Sequence, residues 1–166
     1  MIRICGVVRE SIVDGPGIRF VLFTQGCLHG CPGCHNPESH ALDGGYEVST
    51  EKVLEEMQKN PLLKGLTLSG GDPILQAGEL VELCRAVHAM GKDVVTYTGY
   101  TYEELQHMWQ QKPEILELLK ETDLLVDGRF IQAQRDLTLV YRGSRNQRIL
   151  DMPQTLKTGK ITEVQF

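Results

Sequence analysis

Ile18-Arg19-Phe20-Val21-Leu22-Phe23-Thr24 leads, through Gln25 and Gly26, straight into Cys27-Leu28-His29-Gly30-Cys31-Pro32-Gly33-Cys34. The first seven residues are rich in apolar, β-branched and aromatic side chains and read as a strand. The cysteine-bearing segment is then a loop at that strand's C-terminal end. Functional groups of βα architectures gather at such ends, because the loops vary while the sheet holds them in place. Gly26, Gly30 and Gly33 let the backbone turn tightly enough to aim three sulfurs at one centre.

Upstream, Ile2-Arg3-Ile4-Cys5-Gly6-Val7-Val8 reads as a second strand, separated from the first by a turn-rich Asp14-Gly15-Pro16-Gly17. Downstream, the cysteine loop extends from about Gly26 to Gly45. Ser49 then caps a helix that presents Val53, Leu54 and Met57 on one face. Leu66-Thr67-Leu68 is a short buried strand. Leu80, Val81, Cys84 and Val87 form the apolar stripe of a second helix, which Gly91 stops. Asp93-Val94-Val95-Thr96-Tyr97 resumes as strand. Thr101 and Glu104 make a capping box for a third helix, and Pro113 suits the first turn of a fourth carrying Ile115, Leu116 and Leu119. Leu124-Leu125-Val126 is a further strand.

Strands alternating with helices of this length favour parallel pairing through right-handed crossovers. The expected fold class is therefore α/β with parallel strands. A closed eightfold barrel takes ~250 residues, so a chain of 166 builds only part of one. The expectation is an open, TIM-like (β/α) partial barrel with a free lateral face. No repeat, low-complexity tract or linker divides the chain, which implies one domain over residues 1–166 with a tail from about Leu150.

Seventeen Lys and Arg against 22 Asp and Glu give net −5, so no global positive field draws in nucleic acid or an anionic membrane. No apolar run approaches the ~20 residues that span a bilayer, and the N-terminus lacks a charged-then-apolar leader. A cytoplasmic location is expected. Five cysteines is an odd number, with three inside eight residues, in a chain too long to need disulfide staples. Reduced thiols binding a metal suit that pattern better. Cys5 and Cys84 cannot supply a second four-cysteine cluster, and both read as small buried hydrophobes.

Thiolates favour soft iron–sulfur centres. Three of them around a four-iron cube leave one iron free to bind a reactant, whereas a purely electron-carrying cluster normally has four. The competing reading is a zinc site or electron-transfer module, with Cys27, Cys31 and Cys34 joined by His29, His35 or His40 in a tetrahedral set.

Cysteines at these spacings resemble the signature of the radical S-adenosylmethionine enzymes. That resemblance implies a 4Fe-4S cluster on Cys27, Cys31 and Cys34, with S-adenosylmethionine chelated at the open iron. The family often has an aromatic residue before the third cysteine; here Gly33 stands there, and His35 is expected to cover the adenine. Leu68-Ser69-Gly70-Gly71-Asp72-Pro73 resembles the family's Gly-Gly-Glu segment, which receives the cofactor's amino group. Asp72 replaces the glutamate, so the backbone of Gly70 and Gly71 carries the expectation more firmly than the shorter carboxylate does, with Ser69 expected in the same site.

Asp14-Gly15-Pro16-Gly17-Ile18-Arg19, Thr98-Gly99-Tyr100 and Asp127-Gly128-Arg129-Phe130 resemble segments of glycyl-radical-enzyme activases. By that resemblance Thr98, Asp127 and Arg129 join the cofactor site, Asp127 and Arg129 at its ribose or carboxylate. Arg142-Gly143-Ser144-Arg145-Asn146-Gln147 resembles a segment of one branch, the activating proteins of anaerobic ribonucleoside-triphosphate reductase. The implied reaction is reductive cleavage of S-adenosylmethionine followed by hydrogen abstraction from a glycine of that reductase. A flavodoxin- or ferredoxin-like protein would supply the electron. An activase of another glycyl radical enzyme, such as pyruvate formate-lyase, would share the Asp14–Arg19 segment. A small-molecule enzyme of the deazaguanine-forming type would share the cysteine loop but not need the Asp14–Arg19 or Arg142–Gln147 segments.

Overall fold

The computed structural model describes residues 1–31, 33 and 37–166. Among them, seven strands form one sheet: β1 (Ile2–Ser11), β2 (Arg19–Thr24), β3 (Tyr46–Val48), β4 (Gly65–Gly70), β5 (Asp93–Tyr97), β6 (Leu124–Asp127) and β7 (Arg148–Asp151). Their spatial order is β3-β1-β2-β4-β5-β6-β7. Five helices accompany them among these residues: α1 (Thr50–Gln58), α2 (Ala77–Ala89), α3 (Tyr102–Met108), α4 (Glu114–Lys120) and α5 (Met152–Thr158).

The expectation of parallel strands holds for β2, β4, β5 and β6, whose successive pairs are all parallel. It fails at the sheet's margins. β1 is antiparallel to β2 and to β3, and β7 is antiparallel to β6. A parallel return needs a crossover of a dozen or more residues, and the Asp14–Gly17 turn is too short to provide one. Neither β3, β7 nor α5 is evident in the sequence, because strands of three and four residues carry little pattern of their own.

Side chains alternate cleanly across the sheet. Phe20, Leu22, Leu66, Leu68, Val94 and Leu125 face the helices and pack with Met57, Leu80, Leu83, Cys84, Val87, Leu105, Ile115 and Leu118. Val95, Val126 and Ile149 point to the opposite face. The helix ends follow the sequence closely. The Ser49 hydroxyl accepts from the Lys52 N–H at 3.1 Å, and Thr101 and Glu104 complete their capping box. Pro113 sits one residue earlier than expected, as the cap of α4. No helix among the described residues is long and apolar enough to cross a membrane.

On the face opposite the helices, Arg19 is fully buried. Its Nε donates to Thr67 Oγ1 at 2.7 Å, and its two amino groups donate to Pro16 O at 2.8 Å and Leu66 O at 3.0 Å. Asp93 Oδ1 lies 2.6 Å away, an ion contact rather than an aligned hydrogen bond. Thr67 Oγ1 in turn donates to Asp14 O. The turn that precedes β2 is thus tied down by the arginine that ends its own motif.

A second charged cluster sits between α2 and the start of β6. His88 Nδ1 contacts Glu121 Oε2 at 3.0 Å, and Nε2 contacts Asp123 Oδ2 at 2.8 Å. Burial pushes the imidazole below its ordinary value, but hydrogen bonds and charge from Asp123 and Glu121 outweigh it and raise the value above 6.5. A raised folded-state value adds stability that is complete below the unfolded value and is lost as pH climbs through the folded one. We therefore expect the stability difference between wild type and His88→Gln to be complete below the ordinary imidazole value and to shrink as pH rises above it. Urea midpoints across that rise measure it, and a difference independent of pH would contradict the assignment.

Candidate active site

β2, β4, β5 and β6 are mutually parallel, so their C-terminal ends share one edge of the sheet. From these ends emerge the cysteine loop, Gly71-Asp72, Thr98-Gly99-Tyr100 and Gly128-Arg129-Phe130. They border a cleft of about 820 Å³. That lies within the ~300–1,000 Å³ typical of small-molecule sites. Cys27, His29, Cys31, Ser69, Gly70, Gly71, Thr98 and Gly99 all line it, with Phe23, Tyr97, Phe130 and Tyr141 as aromatic walls. The structure therefore brings together four segments that lie far apart in the chain. Cys34 and His35 lie outside the described residues.

The cysteine loop is held at its start by its own return leg. The Gly26 N–H donates to Ser39 O at 2.6 Å and the Cys27 N–H to His40 O at 3.1 Å. Gln25 Nε2 donates to Glu38 O and Ala41 O. Cys27 and Cys31 are left half-buried on the cleft, neither in a disulfide. Burial pushes the Cys27 thiol up, with Asp72 and Cys31 adding to the rise and the backbone N–H groups of His29 and Gly30 opposing it. Loading a metal there must release that proton. Two soft thiols facing a roomy cleft suit an iron–sulfur group, with space left beside them for a small ligand.

The glycine pair has a tighter reason than ligand exposure. The Gly71 N–H donates to Thr24 O and the Asp72 N–H to Gly26 O, both at 2.7 Å. A Cβ on Gly71 would run into the Gly26 backbone, and one on Gly70, whose φ is +94°, into that of Phe23 and Thr24. Two glycines let the end of β4 lie directly against the root of the cysteine loop. Gly71→Ala should cost about 1–3 kcal/mol by overpacking and displace that loop. Thermal denaturation, with iron content after anaerobic reconstitution, measures both effects.

Asp72 does not reach the cleft surface. It is fully buried and accepts from Thr98 Oγ1, the Gly99 N–H, the Ile74 N–H and His29 Nε2. Asp127 is also buried, held by Arg148 at 3.1 Å and by the Tyr102 N–H at 2.8 Å. Its carboxylate is thus spent on the start of α3 and on β7. Arg129 pairs with Glu104 at 3.4 Å and borders a neighbouring hollow with Gln132 and Ala133. Gly33, at φ +74°, faces that same Gln132. The structure thus keeps the Asp72 and Asp127 carboxylates buried off the main cleft, and places Arg129 in an adjoining hollow that shares His29 and Cys31 with it.

Sequence reasoning passed over the aromatic walls and the work of Arg142–Gln147. Gln147 Oε1 accepts from the N–H groups of Gly143 and Ser144, while its Nε2 donates to Gly128 O at 3.0 Å. Asn146 Nδ2 donates to Arg129 O at 2.8 Å, and Ser144 Oγ accepts from the Ile131 N–H. This segment braces the one that follows β6. Tyr97 Oη donates to Tyr141 O at 2.7 Å, and Tyr141 has a positive φ of 64°. Tyr97 ends a predicted strand at the edge that carries the cleft, which was the available signal.

A family model described as a 4Fe-4S single cluster domain matches residues 13–150. An anaerobic ribonucleoside-triphosphate reductase-activating protein of Vibrio cholerae is 39% identical over 145 residues, spanning 82% of this chain and 90% of that one. The chain belongs to this family. Reductase-activating proteins of the same name are 36% identical in Salmonella typhimurium, over 82% of this chain and 90% of theirs, and in Enterobacteria phage T4, over 84% and 87%. Among solved structures, QueE from Escherichia coli aligns with a TM-score of 0.47 at 18% identity, covering 60% of this chain and 53% of that one. The region matched by the 4Fe-4S single cluster domain model contains all three cysteines of the loop, the Gly-Gly-Asp segment and the brace.

Proposed function

We propose that this chain activates an anaerobic ribonucleoside-triphosphate reductase by placing a radical on one of the reductase's glycines. The observation that carries the reading is the meeting of Cys27 and Cys31 with Ser69, Gly70, Gly71 and Thr98 around one cleft, in a chain of this family. Cys27, Cys31 and Cys34 would hold a 4Fe-4S cluster. When bound, the cluster supplies the electron that splits S-adenosylmethionine and so makes the agent that takes a hydrogen atom from the partner's glycine.

The chain's own residues bind, orient and shield. Ser69, Gly70, Gly71 and Thr98 form the wall against which S-adenosylmethionine lies, and Arg129, which follows β6, borders the hollow next to it; Gly33 and His35 flank Cys34 in the sequence and belong to the same reading. Phe23, Tyr97, Phe130 and Tyr141 make much of the remaining lining apolar and aromatic, which favours exclusion of water from a reactive species. Ile12, Val13, Leu137 and Val140 are exposed and line the same cleft. They offer apolar surface to a loop of the reductase.

We infer further that the sheet is an open, TIM-like partial barrel of one domain over residues 1–166, its free side admitting that loop. The reading includes a cytoplasmic location and a flavodoxin- or ferredoxin-like electron donor. The test is anaerobic reconstitution with iron and sulfide, reduction, and mixing with S-adenosylmethionine and the reductase. A glycyl radical in the electron paramagnetic resonance spectrum, with 5′-deoxyadenosine released, is the expected result. A brown protein that releases no 5′-deoxyadenosine would reduce it to an electron carrier, and a colourless, zinc-loaded one would refute the cluster. A radical formed on pyruvate formate-lyase but not on the reductase would move the activity to another partner.

A further inference from the structure

His29 stands between two of the cysteines, yet its ring turns inward and its side chain is only 4% exposed. Nε2 lies 2.6 Å from Asp72 Oδ2. The ring lies flat enough on Gly99 that a Cβ there would strike it, and it meets Tyr100 edge-on with centroids 4.4 Å apart. Asp72 for its part takes hydrogen bonds from Thr98 Oγ1 at 2.9 and 3.0 Å, from the Gly99 N–H at 3.0 Å and from the Ile74 N–H at 3.1 Å. One buried carboxylate therefore joins three segments: the cysteine loop, the turn after Gly70-Gly71, and the end of β5.

We infer that His29 and Asp72 form a strut that sets the spacing between the cysteine loop and the Gly70-Gly71/Thr98-Gly99 wall, making both positioning residues for S-adenosylmethionine. This rests on the function proposed above. A ligand held at one end by the cluster and at the other by the wall tolerates little change in that spacing, and misplacement of about 1 Å can cost about a hundredfold in rate. Asp72 acts through His29 and Thr98, because its own oxygens are buried and fully engaged by protein donors. The aspartate is suited to this task by its length. A glutamate would carry its carboxylate one methylene further and could not keep the Ile74, Thr98 and His29 contacts at once.

The test uses the full chain, anaerobically reconstituted and reduced. S-adenosylmethionine is titrated while the cluster's electron paramagnetic resonance signal reports binding, and iron is counted in parallel. His29→Ala should weaken binding about tenfold while iron content stays at the wild-type level. His29→Gln, which keeps a donor, should recover to within about threefold of wild type. The combination of His29→Ala with Asp72→Asn should bind no more weakly than the weaker of the two single variants, since both break one strut.

Binding by His29→Ala within about twofold of wild type would overturn the inference. So would losses that multiply in the double variant, which would mean that the two residues do not act through one shared contact, or loss of iron from His29→Ala, which would make the histidine a support of ligation alone. If Asp72→Asn does not fold, the alanine and glutamine variants of His29 decide the matter by themselves. Wild-type protein that fails to bind S-adenosylmethionine would refute the proposed function, an outcome distinct from failure of the strut.

Discussion

Exchange of any one of Cys27, Cys31 and Cys34 for serine should leave the reconstituted chain unable to release 5′-deoxyadenosine or to form the partner's glycyl radical. Loss of an outer-shell partner typically costs about 10–100-fold in metal affinity or activity. Loss of a ligand atom itself must exceed that, because a serine hydroxyl stays protonated where a thiol yields its proton to the metal. The fold should survive. Cys27 and Cys31 are only half-buried and neither forms a disulfide, so apo variants should unfold at denaturant concentrations close to wild type. Iron analysis, deoxyadenosine release and urea titration distinguish the two effects. A serine variant with full iron and wild-type turnover would remove that cysteine from the site.

Arg19→Met should be the most destabilising single change on the cleft face. Methionine fills much of the space but leaves Pro16 O and Leu66 O without their donor and Asp93 without its buried cation. Removing one partner of a buried charge pair costs about 3–5 kcal/mol. The lower end applies here, since Asp93 is partly exposed and keeps Lys64 at 3.5 Å. That is a large share of the ~5–15 kcal/mol by which domains are stable. Arg19→Lys should fall between, keeping the charge but not the fork that reaches Thr67, Pro16 and Leu66 together. Urea titration of the apo chain measures the loss as a lowered midpoint with unchanged slope. An unchanged midpoint in the methionine variant would show that the buried arginine does not hold the turn.

The two outcomes differ because the residues answer to different physics. Cys27 and Cys31 lie in a loop held by backbone bonds to Ser39 and His40 and by the side chains of Gln25 and His29, so changing a cysteine side chain spares its anchors. Arg19 itself is the anchor. A motif that reads in sequence as a rigid turn, Asp14-Gly15-Pro16-Gly17, depends on a side chain two residues further on and on strands that follow it by some fifty residues.

The helices were legible where a local rule governs them. Ser49, Thr101 with Glu104, and Gly91 mark their boundaries through hydrogen bonds or a turn conformation that need no distant partner. The core strands were legible because alternate residues face the helices. β7 and α5 were not, since β7 forms by pairing with distant segments, above all β6, and α5 begins immediately after it. Even the last residues follow that logic: the Val164 N–H donates to Ile149 O, and Phe166 lies against Tyr141.

In the candidate site, spacing alone singled out Cys27, Cys31 and Cys34 as candidate ligands, because ligands of one metal group must lie close together in a short loop, and the structure sets Cys27 and Cys31 on the cleft. Ser69-Gly70-Gly71 and Thr98 were legible as strand-end segments. What the sequence by itself determined about this protein is the kind of chemistry and the strand ends that carry it, both being local properties of residue type and spacing. Only the tertiary structure decided that Asp72 and Asp127 turn away from the cleft, that His29 reaches Asp72, and that Arg142–Gln147 braces Gly128. Each of those depends on which donors long-range packing brings to a buried carboxylate or carbonyl, and a buried polar group takes the partners it is given rather than those its neighbours in the chain suggest.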